Sequence, residues 1–242
     1  MTGSLGWTVN DHDEHAVVAV YGRLDLRGTP ALRTVLLKCL AEQPEALLVE
    51  LSAVELCDET ALSVFTAVSR QAAQWPGTPL LVCAPPPDIA ELLERGRYGK
   101  LPVYRDLEEG RRAMADGRAV VPSLSDSLFP IPGAIRHARN LATEACATWG
   151  LPELIGPASL VASELVTNAI EHAGTMITVQ FTRRKRYMHV AVRDGSPVEP
   201  VLAEEVTAGD RGRGLKLVDS VATHWGWLPS RDGKVVWATL AA

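Results

Sequence analysis

Nowhere in its 242 residues does this chain carry a run of about 18 consecutive apolar side chains, the length a helix needs to cross a bilayer. It has no Cys-x-x-Cys pair. None of the four cysteines, Cys39, Cys57, Cys83 and Cys146, has a neighbouring His at metal-ligand spacing, so neither a zinc site nor a disulfide framework is indicated. They read as buried thiols in a reducing compartment. A basic surplus is missing as well: the formal net charge is −5. The broad attraction to phosphate backbones that nucleic-acid binders use is therefore absent, and no direct nucleic-acid partner is expected, although Arg183-Arg184-Lys185-Arg186 forms a local basic patch. Residues 1–10 lack a basic start followed by an apolar run. With no membrane span either, the expected compartment is the cytoplasm. There is no Gly-x-Ser-x-Gly elbow for a hydrolase nucleophile, no internal repeat and no low-complexity tract.

What is present is ordinary globular material, 47% apolar and 22% charged. The length suits two domains of about 110 to 120 residues. In the first half, His15 to Tyr21, Ala46 to Leu51 and Leu80 to Cys83 predict strands. Ala31 to Ala41, Ala61 to Ala73, Asp88 to Arg95 and Leu107 to Ala115 predict helices. Such alternation points to an α/β layer. Asp116 to Pro132, rich in Pro, Ser and Gly, breaks the rhythm. The expected division is a first domain at 1–117, a linker at 118–127 and a second domain at 128–242, with Leu124 to Phe129 a candidate first strand of the latter. The second half predicts helices first, from about Gly133 to Trp149 and around Glu164. Strands follow at Met176 to Arg183 and Tyr187 to Arg193, then a helix from Gly214 to Ala222 and a closing hairpin of His224 to Leu228 with Lys234 to Leu240. That order is α+β, a two-layer α/β sandwich.

The chemistry concentrates in this second half. A step of four residues turns a helix by about 400°, so Glu164, Asn168 and His172 stack on one face, while Val161, Leu165, Ala169 and Ile170 supply an apolar side. Asp194-Gly195 ends a strand; its carboxylate suits an exocyclic amine such as that of adenine, and the glycine lets a flat base approach the backbone. Gly212-Arg213-Gly214-Leu215 opens a helix, where free N–H groups and the dipole favour phosphate oxygens. Arg211, Arg213 and Lys216 would neutralise remaining charge. The Asn168 carbonyl suits magnesium, and Glu164, one turn away, is placed to accept a proton from an attacking hydroxyl or water. His172 is expected to pack or to support the site from behind. Trp225, Trp227 and Trp237 are expected in the core or at a domain contact.

In this order and spacing the segments resemble the N, G1 and G2 boxes of the ATP-binding fold shared by gyrase, histidine kinases and the anti-sigma factor serine kinases. Ser163-Glu164-Leu165-Val166-Thr167-Asn168-Ala169, Arg211-Gly212-Arg213-Gly214-Leu215 and the terminal Trp-Gly and Val-Val-Trp-Ala most resemble the anti-sigma regulatory kinase branch, over roughly Leu124 to Ala242. The resemblance implies ATP and Mg2+ as cofactors, Glu164 as catalytic base and Asn168 as metal ligand. It makes Asp194 the adenine contact and Gly212 and Gly214 the phosphate-loop glycines. The fuller Asp-x-Gly-x-Gly form is reduced here to Asp194-Gly195-Ser196-Pro197, which makes the segment poorer in glycine.

In the first half, Arg23-Leu24-Asp25, Leu48-Val49-Glu50-Leu51-Ser52, Asp58-Glu59-Thr60-Ala61-Leu62 and Leu101-Pro102-Val103-Tyr104 before Leu107 together resemble a STAS domain, the fold of anti-sigma factor antagonists, from about Trp7 to Ala115. In that family the loop usually reads Asp-Ser-Ser-Gly-Leu and its first Ser accepts phosphate. Here that position is Glu59. Asp58 as an N-cap and Glu59 in a first helical turn suit any helix start. Glu59 would also put permanent charge where a phosphoserine would sit, imitating it only in part. Thr60 keeps a hydroxyl nearby as an alternative acceptor.

Two functions follow from the resemblances. The first is a serine/threonine kinase-type anti-sigma factor, a transferase in transcription regulation that phosphorylates a STAS antagonist and controls a sigma factor. The second is a non-catalytic, ATP-dependent binding module whose STAS half recruits or blocks a partner. A histidine kinase is disfavoured because no phosphoacceptor His stands on a long dimerisation helix. An intramolecular STAS contact and a homodimer are left open.

Overall fold

Strands that read as almost unbroken Val and Leu are those covered on both faces, and the first unit is built on three of them. The computed structural model describes residues 3–10, 14–96, 101–115, 121–201 and 214–242. The chain divides into two units, Met1–Ala119 and Val120–Ala242. In the first, β1 (Gly6–Asn10) runs antiparallel to β2 (His15–Leu24); β3 (Ala46–Leu56), β4 (Leu80–Cys83) and β5 (Val103–Tyr104) continue the sheet in parallel, in the order β1-β2-β3-β4-β5. Helices α1 (Thr29–Ala41), α2 (Ser63–Gln74) and α3 (Pro87–Glu94) connect the strands, and α4 (Leu107–Ala115) follows β5.

The period of two in β3 and β4 explains the layering. Ala46, Leu48, Leu81 and Cys83 form one buried cluster with Val17, against which Leu107 and Met114 of α4 pack. Leu47, Val49 and Val82, on the opposite face, are buried as completely, and α1 and α2 pack against β3 and β4. Each fully buried side chain of this kind contributes about 1.5–3 kcal/mol. Three of the cysteines, Cys39, Cys83 and Cys146, are buried; burial pushes the Cys39 and Cys83 thiols up to about 11. Cys57, expected to be buried with them, lies just past the end of β3 and is exposed; its Sγ accepts a hydrogen bond from Arg23 Nε at 3.1 Å.

The second unit is a five-stranded sheet with helices on one face. Its strands are β6 (Ser123–Leu128), β7 (Ile177–Arg183), β8 (Tyr187–Asp194), β9 (His224–Pro229) and β10 (Lys234–Ala241), all antiparallel, in the order β6-β7-β8-β10-β9. Helices α5 (Gly133–Thr148), α6 (Ile155–His172) and α7 (Gly214–Val221) share one core with Ile177, Val179, Phe181, Val190, Val192 and Val236. Pro157 is tolerated in the first turn of α6, where its missing N–H has no intrahelical partner to lose. The candidate strand at Leu124 to Phe129 is present as β6, Ser123–Leu128, and so overlaps the stretch 118–127 set apart as a linker. The polar alternation Ser-Leu-Ser-Asp-Ser-Leu is that of an edge strand with one wet face, and composition alone does not separate it from a loop.

Candidate functional site

On α6, Leu165, Val166 and Ala169 turn into the core while Glu164, Thr167 and Asn168 are half-exposed, as their spacing requires. Two hydroxyls that would compete with the helix backbone are satisfied within it. Ser163 Oγ donates to the Ser159 carbonyl at 2.6 Å and Thr167 Oγ1 to the Ser163 carbonyl at 2.7 Å. Ser163 Oγ also accepts from Arg139 Nε at 2.7 Å, which ties α6 to α5.

A cavity of about 390 Å3 lies beside this helix, within the size range of small-molecule sites. Leu165 and Ala169 of α6, Val192 of β8, Val236 of β10 and Leu215 of α7 give it apolar walls, and Asn168, His172, Asp194, Glu199 and Lys234 give it polar ones. Val198, Pro200 and Val201, beyond β8, also line it. The Trp227 indole donates to Glu199 Oε1 at 3.1 Å and so holds that stretch toward β9.

Asp194 is the most enclosed polar group of the site. Its register partner across the sheet is Lys234, the first residue of β10, and directly opposed side chains on one face meet. The Lys234 ammonium lies 2.9 Å from Asp194 Oδ1, with only 3% and 7% of the two side chains exposed for Asp194 and Lys234 respectively. The same ammonium donates to the Ser196 carbonyl at 3.2 Å, and Asp194 Oδ1 also accepts from the Ser196 N–H at 2.8 Å. Thr175 Oγ1 accepts from the Gly195 N–H at 2.8 Å. On the other side the β9–β10 turn presses in. A Cβ on Gly233 would overlap the Asp194 carbonyl oxygen and lie 2.6 Å from Gly195 Cα, so only glycine fits.

Gly214 opens α7 directly against the polar row. A Cβ there would stand 2.7 Å from Glu164 Oε2 and 3.6 Å from Asn168 Oδ1. The bare backbone lets the positive end of a helix approach two side-chain oxygens, a combination that suits a phosphate with its cation. Among the described residues no group of three or more His, Cys, Asp and Glu side chains could hold a metal unaided. Magnesium that keeps its waters and binds mainly through phosphate oxygens asks little more of the protein than one amide carbonyl, and Asn168 beside Gly214 fits that role.

Of the residues expected at the site, Asn168, Asp194, Gly214 and Leu215 line the cavity. Gly195, which follows Asp194 and is held by Thr175, and Lys216 on α7 are not among the lining residues. Glu164 lies against Gly214 but is not among the lining residues. Arg211, Gly212 and Arg213 lie outside the described residues. His172, expected to pack or to support from behind, is exposed and lines the cavity, because it sits in the last turn of α6 where the core has ended. Lys234 was not anticipated; its only signal is a lysine opening a strand otherwise rich in Val and Trp. Trp237 is buried, and Trp225 and Trp227 pack against the core of the second unit.

In the first unit, Asp58, Glu59 and Thr60 follow β3 as expected, but they open a 3-10 turn, Glu59–Leu62, that leads into α2. Asp58 Oδ1 accepts from Thr60 Oγ1 at 2.6 Å and from the Thr60 N–H at 2.9 Å, and these bonds hold its carboxyl below the usual carboxylate range. Glu59 and Thr60 are exposed.

Fold and site together define a two-part protein, one half an α/β sheet with helices on both faces and the other a two-layer sandwich that carries a cavity. Residues 7–103 match the family described as Mlab, STAS domain, and residues 130–240 match the family described as Histidine kinase-like ATPase domain. The chain is a fusion of a STAS domain with a histidine kinase-like ATPase domain. It is similar to the anti-sigma-F factor antagonist RsfB of Mycobacterium tuberculosis, 35% identical over 71 residues, which are 29% of this chain and 58% of that protein. The chain thus spans little more than half the length of the curated relatives it matches. Among solved structures it is similar to an anti-sigma factor antagonist from Mycobacterium paratuberculosis (28% identity, 47% of this chain and 96% of that one, TM-score 0.39). It is also similar to the anti-sigma factor antagonist SpoIIAA in its unphosphorylated form (11% identity, 47% and 100%, TM-score 0.40).

Proposed function

We propose that this protein is an ATP-binding regulator of partner switching, a serine/threonine kinase-type anti-sigma factor that phosphorylates a separate STAS antagonist and thereby controls a sigma factor. The observation that carries the reading is the approach of Gly214 to Glu164 and Asn168 at the edge of a cavity walled by Asp194. Bound MgATP supplies a transferable γ-phosphate. Asp194 would accept from the base, Asn168 Oδ1 would ligate magnesium, and Lys216 with Arg211 and Arg213 would balance phosphate charge. Glu164 would accept the proton of a Ser or Thr hydroxyl as its oxygen bonds to the γ-phosphorus and the bond to the departing ADP oxygen breaks. The protein would work in the cytoplasm; no helix among the described residues is long and apolar enough to cross a membrane.

A second reading, an ATP-dependent binding module without transfer, is favoured by two observations: Glu164 does not line the cavity, and Glu59 stands where the family's phosphoacceptor Ser would be. Transfer from labelled ATP to STAS proteins by the native chain separates the two. Under the kinase reading, Glu164→Ala still binds ATP but loses on the order of 10²–10⁴-fold in transfer, and Asn168→Ala weakens magnesium-dependent binding. Native chain that binds ATP and transfers nothing leaves the module; native chain that binds no nucleotide removes both.

A further inference from the structure

The wall that would meet the base holds an unusual pairing. An ionised carboxylate only accepts hydrogen bonds, so a lone Asp suits the 6-amino group of adenine and opposes a 6-oxo group oxygen to oxygen. Sites built in that way reject the wrong partner by on the order of 10⁴-fold, because polar groups are left buried and unpaired. Asp194 is not alone. Its Oδ1 already accepts from Lys234 Nζ at 2.9 Å and from the Ser196 N–H at 2.8 Å. An ammonium has three N–H donors; Asp194 and the Ser196 carbonyl take two of them, and no other acceptor for Lys234 occurs among the described residues. Both side chains line the cavity. The base edge therefore meets an acceptor and a donor side by side, on a pair whose charges cancel.

Resting on the proposal that this cavity takes a purine nucleotide, we infer that Lys234 determines base specificity and makes the site tolerant of 6-oxo purines. An adenine edge offers a 6-amino donor and then the N1 acceptor, which Asp194 and Lys234 match. A 6-oxo edge offers an acceptor and then the N1–H donor, which Lys234 and Asp194 match in the opposite sense. The walls that flank the ring, Leu165, Val192 and Val236, are apolar and impose no hydrogen-bonding order of their own, so a small shift of the ring exchanges one arrangement for the other.

Calorimetric titration of the full chain with the magnesium salts of ATP and inosine triphosphate tests this, since inosine carries the 6-oxo group without the extra 2-amino group of guanine. In the native chain the two dissociation constants fall within about tenfold of each other. Lys234→Arg, which keeps a cationic donor, preserves that ratio, and Lys234→Met raises the preference for ATP by about 100-fold or more. Native chain that binds ATP but holds inosine triphosphate more than about 100-fold weaker overturns the inference while nucleotide binding stands. Native chain that binds neither overturns nucleotide binding itself, and the inference with it. If Lys234→Met does not fold, the ratio in native chain still decides.

Discussion

Each unit ends a strand in or near a carboxylate, and the two carboxylates are held in opposite ways. Asp58, two residues beyond β3, is held among the described residues by Thr60, through bonds that span two residues at a helix start. Asp194, the last residue of β8, is held by a lysine 40 positions along the chain and closed over by the β9–β10 turn. The first arrangement is assembled from its own neighbours and can change partner without disturbing the sheet beneath it, which suits a loop that touches other molecules. The second exists only when two strands are in register, and it forms part of what keeps them there.

That contrast can be broken most decisively at Lys234. Lys234→Met leaves Asp194 buried without its cation, and loss of one partner of such a pair costs about 3–5 kcal/mol. Guanidinium unfolding should show the deficit, and a cost below about 1 kcal/mol would mean that the pair does little for the second unit. His189 gives an intermediate effect in the same unit. Burial, with the Arg184 charge adding to it, pushes its pKa down to about 4 from an ordinary value of 6.5. The folded chain then binds fewer protons than the unfolded one between those values. The contribution is complete above about pH 6.5 and is lost as pH falls toward about 4, on the order of 3 kcal/mol in all. Stability measured against pH should slope accordingly, and His189→Gln should flatten the slope; an unchanged slope would point to other groups. The smallest effect belongs to Asp58→Ala. Its carboxyl is held low, so what it contributes is present above its ordinary value and fades in acid. At neutral pH the change in thermal midpoint should be near the error of the measurement, and a loss rivalling that of Lys234→Met would erase the distinction between the two carboxylates.

Much of the fold was legible because strong periodicity is bounded by Pro and Gly. Leu80–Cys83 and Leu107–Ala115 have the same limits in the structure as in the sequence pattern. The elements that escaped are those with weak patterning: β1 shows only intermediate and exposed residues and β5 has two residues. At the site, the row of Glu164, Asn168 and His172 follows from helical spacing alone, which is why Asn168 was legible as a cavity residue, while Glu164 stands beside Gly214 outside the lining. Lys234 was not legible, since its role follows from pairing between β8 and β10, and register is a property of the assembled sheet. His172 reaches the cavity as its place in the row implies, but that it is exposed rather than packed depends on where the helix outruns the core, which spacing does not say.

The cavity's polar walls come from α6, from the end of β8 and the stretch beyond it that carries Glu199, and from the start of β10, with the first residue of α7 against them. No stretch of chain contains more than a fragment of it. Any ligand affinity of this unit would therefore be an all-or-none attribute of a cooperative fold: a peptide carrying the Glu164 helix would inherit none of it, and a bound ligand, by its contacts with distant segments at once, would act as a clasp against unfolding.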